Sequence, residues 1–280
     1  MLDFKVRRRL EREYERGIIR LYQRIVEKTK GLSLEKIIDY LKSTSLQEVV
    51  AKLARNLASR MVTLSRVDNE KEWRTAARKG SMGRQIRQSI KRDMSLGLDL
   101  TAQAIVKENA KLISSVPQEI AERITAEMLE RYNKGMRYED YVPELMAKVP
   151  TLMYNRAKLI ARTETGKANE AMTETRARAA GINCYIWRSS HDERVRMSHE
   201  KMDGVLCFWD SPPNPEAFFG GSSNFGPYHA GCCPNCRCYC EPVVDMHWLP
   251  DRIMVSVGGN SPVSMTRNQI IERWGEDNAY

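Results

Sequence analysis

A chain of 280 residues with 42% apolar content can bury one large core or two small ones, which excludes disorder throughout. No apolar run approaches the roughly 18 residues of a membrane span, and the opening Met1-Leu2-Asp3-Phe4-Lys5 lacks the apolar stretch of a secretion signal. The expectation is a protein made and kept in cytosol, with no membrane partner. The net charge of +9 is lopsided, because residues 1–92 carry 24 Lys+Arg against 11 Asp+Glu and the remainder is net negative. Such an excess suits nucleic acid phosphates or an acidic protein surface, and equally a solvated helix face.

The first element is an amphipathic helix to about residue 30. Leu10, Tyr14, Ile18, Leu21 and Ile25 recur at three- and four-residue steps. Arg7, Arg8, Arg9, Arg12 and Arg16 are interleaved with them and make the candidate contact for DNA or an acidic partner. A second stripe, Leu46, Val49, Val50, Leu53, Leu57, Met61 and Leu64, predicts a helix after the turn signals at Ser43-Thr44-Ser45. Breaks are expected at Lys79-Gly80-Ser81-Met82-Gly83 and at Gly97. Beyond Asp99 the pattern stays helical, with Pro117 read as a first-turn proline and Asn133-Lys134-Gly135 as a stop. The next helix is expected from about Thr151 to Gly181, where a left-handed C-cap glycine fits.

After Gly181 the texture becomes mixed. Cys184-Tyr185-Ile186-Trp187 reads as a strand, and Ser189-Ser190-His191-Asp192-Glu193 as a helix start. Residues 210–234 form a long Pro/Gly/aromatic loop that needs something to hold it. The tail carries a turn at Gly258-Gly259 and a short helix from Thr266 to Trp274. The spans implied are a basic helical region 1–98, a helical connector 99–150, an α+β module 151–245 and a tail 246–280.

Seven cysteines all lie in the last hundred residues, and five of them fall between Cys232 and Cys240. In a reducing compartment such a cluster marks metal binding or redox chemistry more than disulfides. Cys233 and Cys236 form a CxxC knuckle, whose two thiolates can face one tetrahedral zinc. His199, Cys207, His229 and Cys238 are the candidates for the remaining positions. The competing reading, free thiols acting as small hydrophobes, explains one or two cysteines but not five in nine positions.

The order of motifs is distinctive. Ala161-Arg162-Thr163-Glu164-Thr165 is followed by Asp192-Glu193-Arg194-Val195-Arg196-Met197-Ser198-His199, then Asp203-Gly204, the proline-rich loop, and Asn235-Cys236-Arg237-Cys238. Over about residues 150–242 this resembles the phage head morphogenesis family, the Mu F-like minor head proteins. Met197 stands where that family often has proline, and Cys233 where it often has histidine. The resemblance implies that His199, Cys236 and Cys238 belong to the site, and spacing adds Cys233, with Cys207 and His229 in reserve. It also singles out Arg162, Glu164, Asp192, Arg194, Arg196 and Asp203 as structural residues, at least one of Arg162 and Glu164 pinning its helix against the module.

The fold expected is therefore a mostly α N-terminal region joined to a small α+β Mu F-like module stapled by structural zinc. What the resemblance implies is a non-enzymatic minor capsid protein of a tailed bacteriophage. It would reside in the virion, at the portal vertex or head interior, with the portal or major capsid protein and packaged double-stranded DNA as partners. A nucleic-acid-binding zinc module without a virion role is the alternative. A zinc deaminase is a weaker one, since His191-Asp192-Glu193 and Cys233-Pro234-Asn235-Cys236 imitate its pattern but Cys232 replaces the proline that should precede the knuckle.

Overall fold

The apolar stripes form the helices they predict. In the computed structural model, which describes residues 2–92, 97–220, 225–257 and 261–274, α1 (Arg8–Thr29) buries Leu10, Tyr14, Ile18, Leu21 and Ile25. A short α2 (Leu34–Lys42), capped by Ser33, precedes α3 (Thr44–Lys79). Then come α4 (Gly83–Arg92), α5 (Gly97–Asn133) and α6 (Tyr138–Ala179). The breaks at Gly80–Gly83 and near Gly135 fall where expected, and Gly181, at φ 75°, takes the left-handed C-cap conformation. The Ile182 amide returns to the Ala177 carbonyl at 2.8 Å to close that cap.

The prolines behave differently from expectation. Pro117 lies inside α5, and Pro143 and Pro150 lie inside α6, so neither helix starts at its proline. An interior proline removes one ladder bond and costs about 3 kcal/mol. Burial around them offsets that cost: Val116 and Ile120 flank the first, and Tyr141, Leu145, Val149 and Met153 flank the others.

The chain folds into two compact units, Arg8–Val62 with Ala104–Arg162, and Met1–Arg7 with Thr63–Gln103 and Thr163–Tyr280. Both units are discontinuous in sequence. In the first, all helical, the Tyr14 hydroxyl donates to Asn109 Oδ1 at 2.8 Å and Tyr22 to the Ile113 carbonyl at 3.0 Å.

The second unit carries the sheet. β1 (Cys184–Arg188) is followed by α7 (Met197–Lys201), β2 (Leu206–Phe208), α8 (Pro215–Phe219) and β3 (Tyr239–Pro242). A 3-10 turn at Met246–Trp248 leads to β4 (Arg252–Val255), β5 (Val263–Thr266) and α9 (Arg267–Trp274). The strand order is β3-β1-β2-β4-β5, antiparallel except for β2 against β4. Helix α7 starts at Met197, later than the Ser189–Glu193 signal suggested, because His191 adopts φ 52° and the segment turns instead. The tail, of which the sequence showed a turn and the helix that forms as α9, also supplies two of the five strands. The Gly258-Gly259 turn lies outside the described residues.

Alternation along β1 and β2 covers both faces of the sheet. Tyr185, Trp187 and Cys207 join one core with Leu2, Phe4, Trp73, Ile86 and four of the clustered cysteines. Cys184 and Leu206 join the other with Val243, Ile253, Val255 and Ile270. The first residues belong to this unit: the Leu2 amide donates to Glu241 Oε1 at 2.6 Å, and Phe4 packs edge-on against Trp73. Glu241 also accepts from Arg188, so two donors hold one buried carboxylate.

Candidate metal centre

The knuckle is built by its own residue types. The Cys236 amide donates to the Cys233 carbonyl at 3.0 Å, with Pro234 and Asn235 between them. Proline presets the first central position, and Asn235, at φ 60°, accepts the left-handed second one, the demand of a type II turn. The turn is tied to α6, since the Asn235 amide donates to Thr163 Oγ1 at 3.1 Å. Gly166, one helical turn further on, is where the loop backbone crosses the helix: a Cβ there would stand 2.8 Å from the Gly231 carbonyl oxygen.

Helix α7 delivers His199, 2% exposed, opposite this turn. Its Nδ1 lies 3.4 Å from Cys236 Sγ and 3.5 Å from Cys238 Sγ. These three donors lie within 4.8 Å of one another, all buried, and could hold a metal ion. The Cys238 amide points at Cys236 Sγ from 3.3 Å, a donor that favours a thiolate. Hydrogen bonding with Cys238 holds Cys236 well below the usual thiol range against the cost of burial, with His199 assisting; the same bond pushes Cys238 up. Burial pulls His199 down, but hydrogen bonds with Cys233 and Cys236 outweigh it and raise its pKa to about 9. The pocket thus favours a thiolate beside a positive charge, the electrostatic demand that a divalent cation meets.

Cys233 stands beside this trio rather than within it. It is 2% exposed and receives Arg196 Nη1 at 3.2 Å, while Arg196 Nη2 bonds the Pro234 carbonyl at 2.9 Å. Of the reserve residues, His229 Nδ1 faces the Tyr185 hydroxyl at 2.9 Å, and Cys207 Sγ faces the Val205 carbonyl at 3.7 Å. Neither belongs to the trio. His191, on which a deaminase reading depends, is exposed and 3.5 Å from Asp203.

The charged residues of the motif brace the loops. Asp192 pairs with Arg237 at 3.3 Å and accepts the Arg194 amide, leaving the Arg194 side chain exposed. Asp203 accepts the Ser189 amide at 2.7 Å. Arg162 pairs with the buried Glu11 at 3.3 Å inside the helical unit. Glu164, 3% exposed, has Lys167 of the same helix at 3.0 Å.

Two residues went unnoticed in the sequence. Tyr228, 2.7 Å from His199 Nε2, also touches both carboxylate oxygens of Glu216. Both residues come from the proline-rich loop, where nothing in their spacing marks them.

With this geometry in view, the comparison with known families is specific. Residues 118–241 match the family described as phage Mu protein F like protein. This segment is Mu F-like. Its match ends at Glu241, one residue past the cysteine cluster, and takes in His199, Tyr228 and every cysteine. An uncharacterized protein of Haemophilus influenzae is 28% identical over 176 residues, 62% of this chain. The match spans 35% of that relative, so this chain corresponds to about a third of it. No solved structure matches the chain. Among the described residues no helix is long and apolar enough to cross a membrane.

Proposed function

We propose that this protein is a minor head protein of a tailed bacteriophage, acting at the portal vertex or head interior, and that its Mu F-like module is closed by one structural zinc ion. The observation that carries the reading is the meeting of His199, Cys236 and Cys238 inside the matched segment. Bond lengths typical of zinc, about 2.3 Å to sulfur and about 2.05 Å to nitrogen at tetrahedral angles, place nitrogen and sulfur about 3.6 Å apart. The separations of 3.4 and 3.5 Å agree with that, and Cys233 is the nearest candidate for the fourth position. Zinc there would tie β3 and the proline-rich loop to α7, supplying folding free energy that a loop rich in Pro and Gly does not gain from packing. The role is structural, because closure by four protein ligands leaves no open position for substrate.

The portal and major capsid proteins are the proposed protein partners, and packaged DNA the nucleic acid. Charge supports the DNA contact most clearly at the α3–α4 junction. From Arg74 to Lys91 there are six Lys and Arg and no Asp or Glu. All six side chains are exposed, and Lys79, Arg84 and Lys91 have no carboxylate partner among the described residues. The arginines of α1 are exposed too, but Glu11, Glu13 and Glu15 share that helix, and Arg7 is paired with Glu72.

Elemental analysis of the purified chain tests the metal, with one zinc per chain expected; well under one zinc removes that reading. The head assignment is tested separately by quantifying the protein in purified particles. Its absence from particles, with normal expression, overturns the virion role.

A further inference from the structure

The His199 ring has a second polar edge, Nε2, on the side opposite Cys236 and Cys238. Its Nε2 lies 2.7 Å from the Tyr228 hydroxyl, which lies 2.8 and 2.6 Å from the two Glu216 oxygens. All three residues are buried, at 2%, 9% and 6% exposure. Glu216 is held by Ser198, whose hydroxyl donates to Oε1 at 3.4 Å, and sits on α8, whose start is capped by Asn214. The Tyr228 amide donates to the Pro213 carbonyl at 3.0 Å, clamping the phenol against that helix. Trp187 packs edge-on against the imidazole with centroids 5.4 Å apart, which limits rotation of the ring.

The proton positions follow from what each group is able to donate. A carboxylate accepts only, so the single phenol proton points at Glu216. The phenol oxygen then faces His199 as an acceptor, and Nε2 must carry a proton. When a metal ion displaces the proton that the positively charged ring also carries on Nδ1, the lone pair given is that of Nδ1, the atom turned toward Cys236 and Cys238. We propose that Tyr228 and Glu216 are positioning residues: by holding the proton on Nε2, they make Nδ1 the metal-binding atom of His199 and keep its lone pair aimed at the two thiols. This rests on the reading of the cluster as a zinc site and assigns that site its orienting shell. It also couples the site to the proline-rich loop, since Glu216 and Tyr228 lie in that loop while His199 does not. Loading the metal therefore orders the loop through the phenol as well as through the cysteines.

The test uses the full-length chain with histidine labelled by nitrogen-15 and the His199 signals assigned with His199→Gln. In the metal-free chain the expected result is a protonated Nε2 whose hydrogen exchanges slowly, with exchange becoming fast in Tyr228→Phe. With zinc added, Nδ1 is expected to shift as the bound nitrogen while Nε2 stays protonated. Competition with a chromophoric chelator should show zinc bound about tenfold or more weakly by Tyr228→Phe, and less weakened in Glu216→Gln. Tyr228→Phe removes one oxygen only, and circular dichroism confirms that each variant is folded; if it does not fold, Glu216→Gln carries the same measurements. An unprotonated Nε2 in the native chain, or zinc bound through Nε2, overturns the proposal. So does native zinc affinity in both variants. If the native chain takes up no zinc, the zinc reading fails by itself, and which nitrogen keeps its proton once the ring is neutral, above pH 9, still decides the orientation.

Discussion

Gly166 of α6 and Gly231 of the cysteine loop approach so closely that a single added methyl group at Gly166 would stand 2.8 Å from the Gly231 carbonyl oxygen. The obstacle is backbone, which cannot swing aside as a side chain does. Gly166→Ala should therefore push the loop off the helix, outweighing the helix propensity gained, and cost about 1–3 kcal/mol. Thermal melting with a zinc titration checks this. Unchanged stability and zinc uptake would mean that the crossing is looser than described.

Arg162→Ala separates the two roles considered for the Ala161-Arg162-Thr163-Glu164 run. Its guanidinium serves Glu11, 8% exposed, within the helical unit. Losing it leaves a carboxylate short of a donor at a cost of about 1–3 kcal/mol. Chemical denaturation should report that loss while zinc stoichiometry stays at the native value.

Glu170 gives the protein a pH dependence of its own. Burial raises its pKa from 4.5 to about 8, a hydrogen bond with Cys240 opposing and Glu174 adding to the rise, and Oε1 has no partner among the described residues. The folded form holds its proton where the unfolded chain has already released it. Stability from this group is therefore present below pH 4.5 and lost as pH rises toward 8. Glu170→Gln should gain on the native chain by about 1.4 kcal/mol per pH unit across that window. Urea unfolding at pH 5, 6, 7 and 8 measures the gap; a gap that does not widen contradicts the assignment.

Removing the metal should loosen the sheet-bearing unit first. A site saturated about a thousandfold above its dissociation constant contributes about 4 kcal/mol, or roughly 10 °C in unfolding temperature for a unit of this size. Calorimetry with and without a strong chelator should show that fall, with recovery on adding zinc. Recovery with calcium instead would point away from a thiolate site.

The basic junction predicts a salt signature. Changing Lys79, Arg84 and Lys91 to Gln together should weaken duplex DNA binding and lower the slope against log salt by about 2–3, at about 0.9 per phosphate contact. The same count of changes at Arg8, Arg12 and Arg16 should do less. Equal effects would return the contact to α1.

Much of this was readable beforehand where one local rule acts alone. Apolar periodicity located α1, α3 and the later part of α6, which starts at Tyr138 and not near Thr151, and Gly181 located a helix end, because those signals need no distant partner. His199, Cys236 and Cys238 were recoverable from the motif order. Tyr228 and Glu216 were not, since their meaning arises only when the loop folds back and brings a phenol to an imidazole 29 residues earlier. The Glu11 partner of Arg162 was hidden for a related reason: a sequence shows that a charge sits on a helix, not which of several packed helices its side chain meets. Strands β4 and β5 escaped notice because four residues apiece carry too little alternation to stand out.

The hydrogen bond from Leu2 to Glu241 joins residues 239 positions apart. During synthesis the amide of Leu2 waits for Glu241 until 239 further residues have been added. At synthesis rates of about 5–20 residues per second that interval lasts some tens of seconds at the slow end. The sheet-bearing unit is therefore completed after translation has passed Glu241, and the helical unit, whose last residue is Arg162, is available earlier. A nascent chain stopped once Arg162 is free of the ribosome would hold every residue of the helical unit while Met1–Arg7 and Thr63–Gln103 still wait for the sheet, making order of assembly a property of the chain's threading.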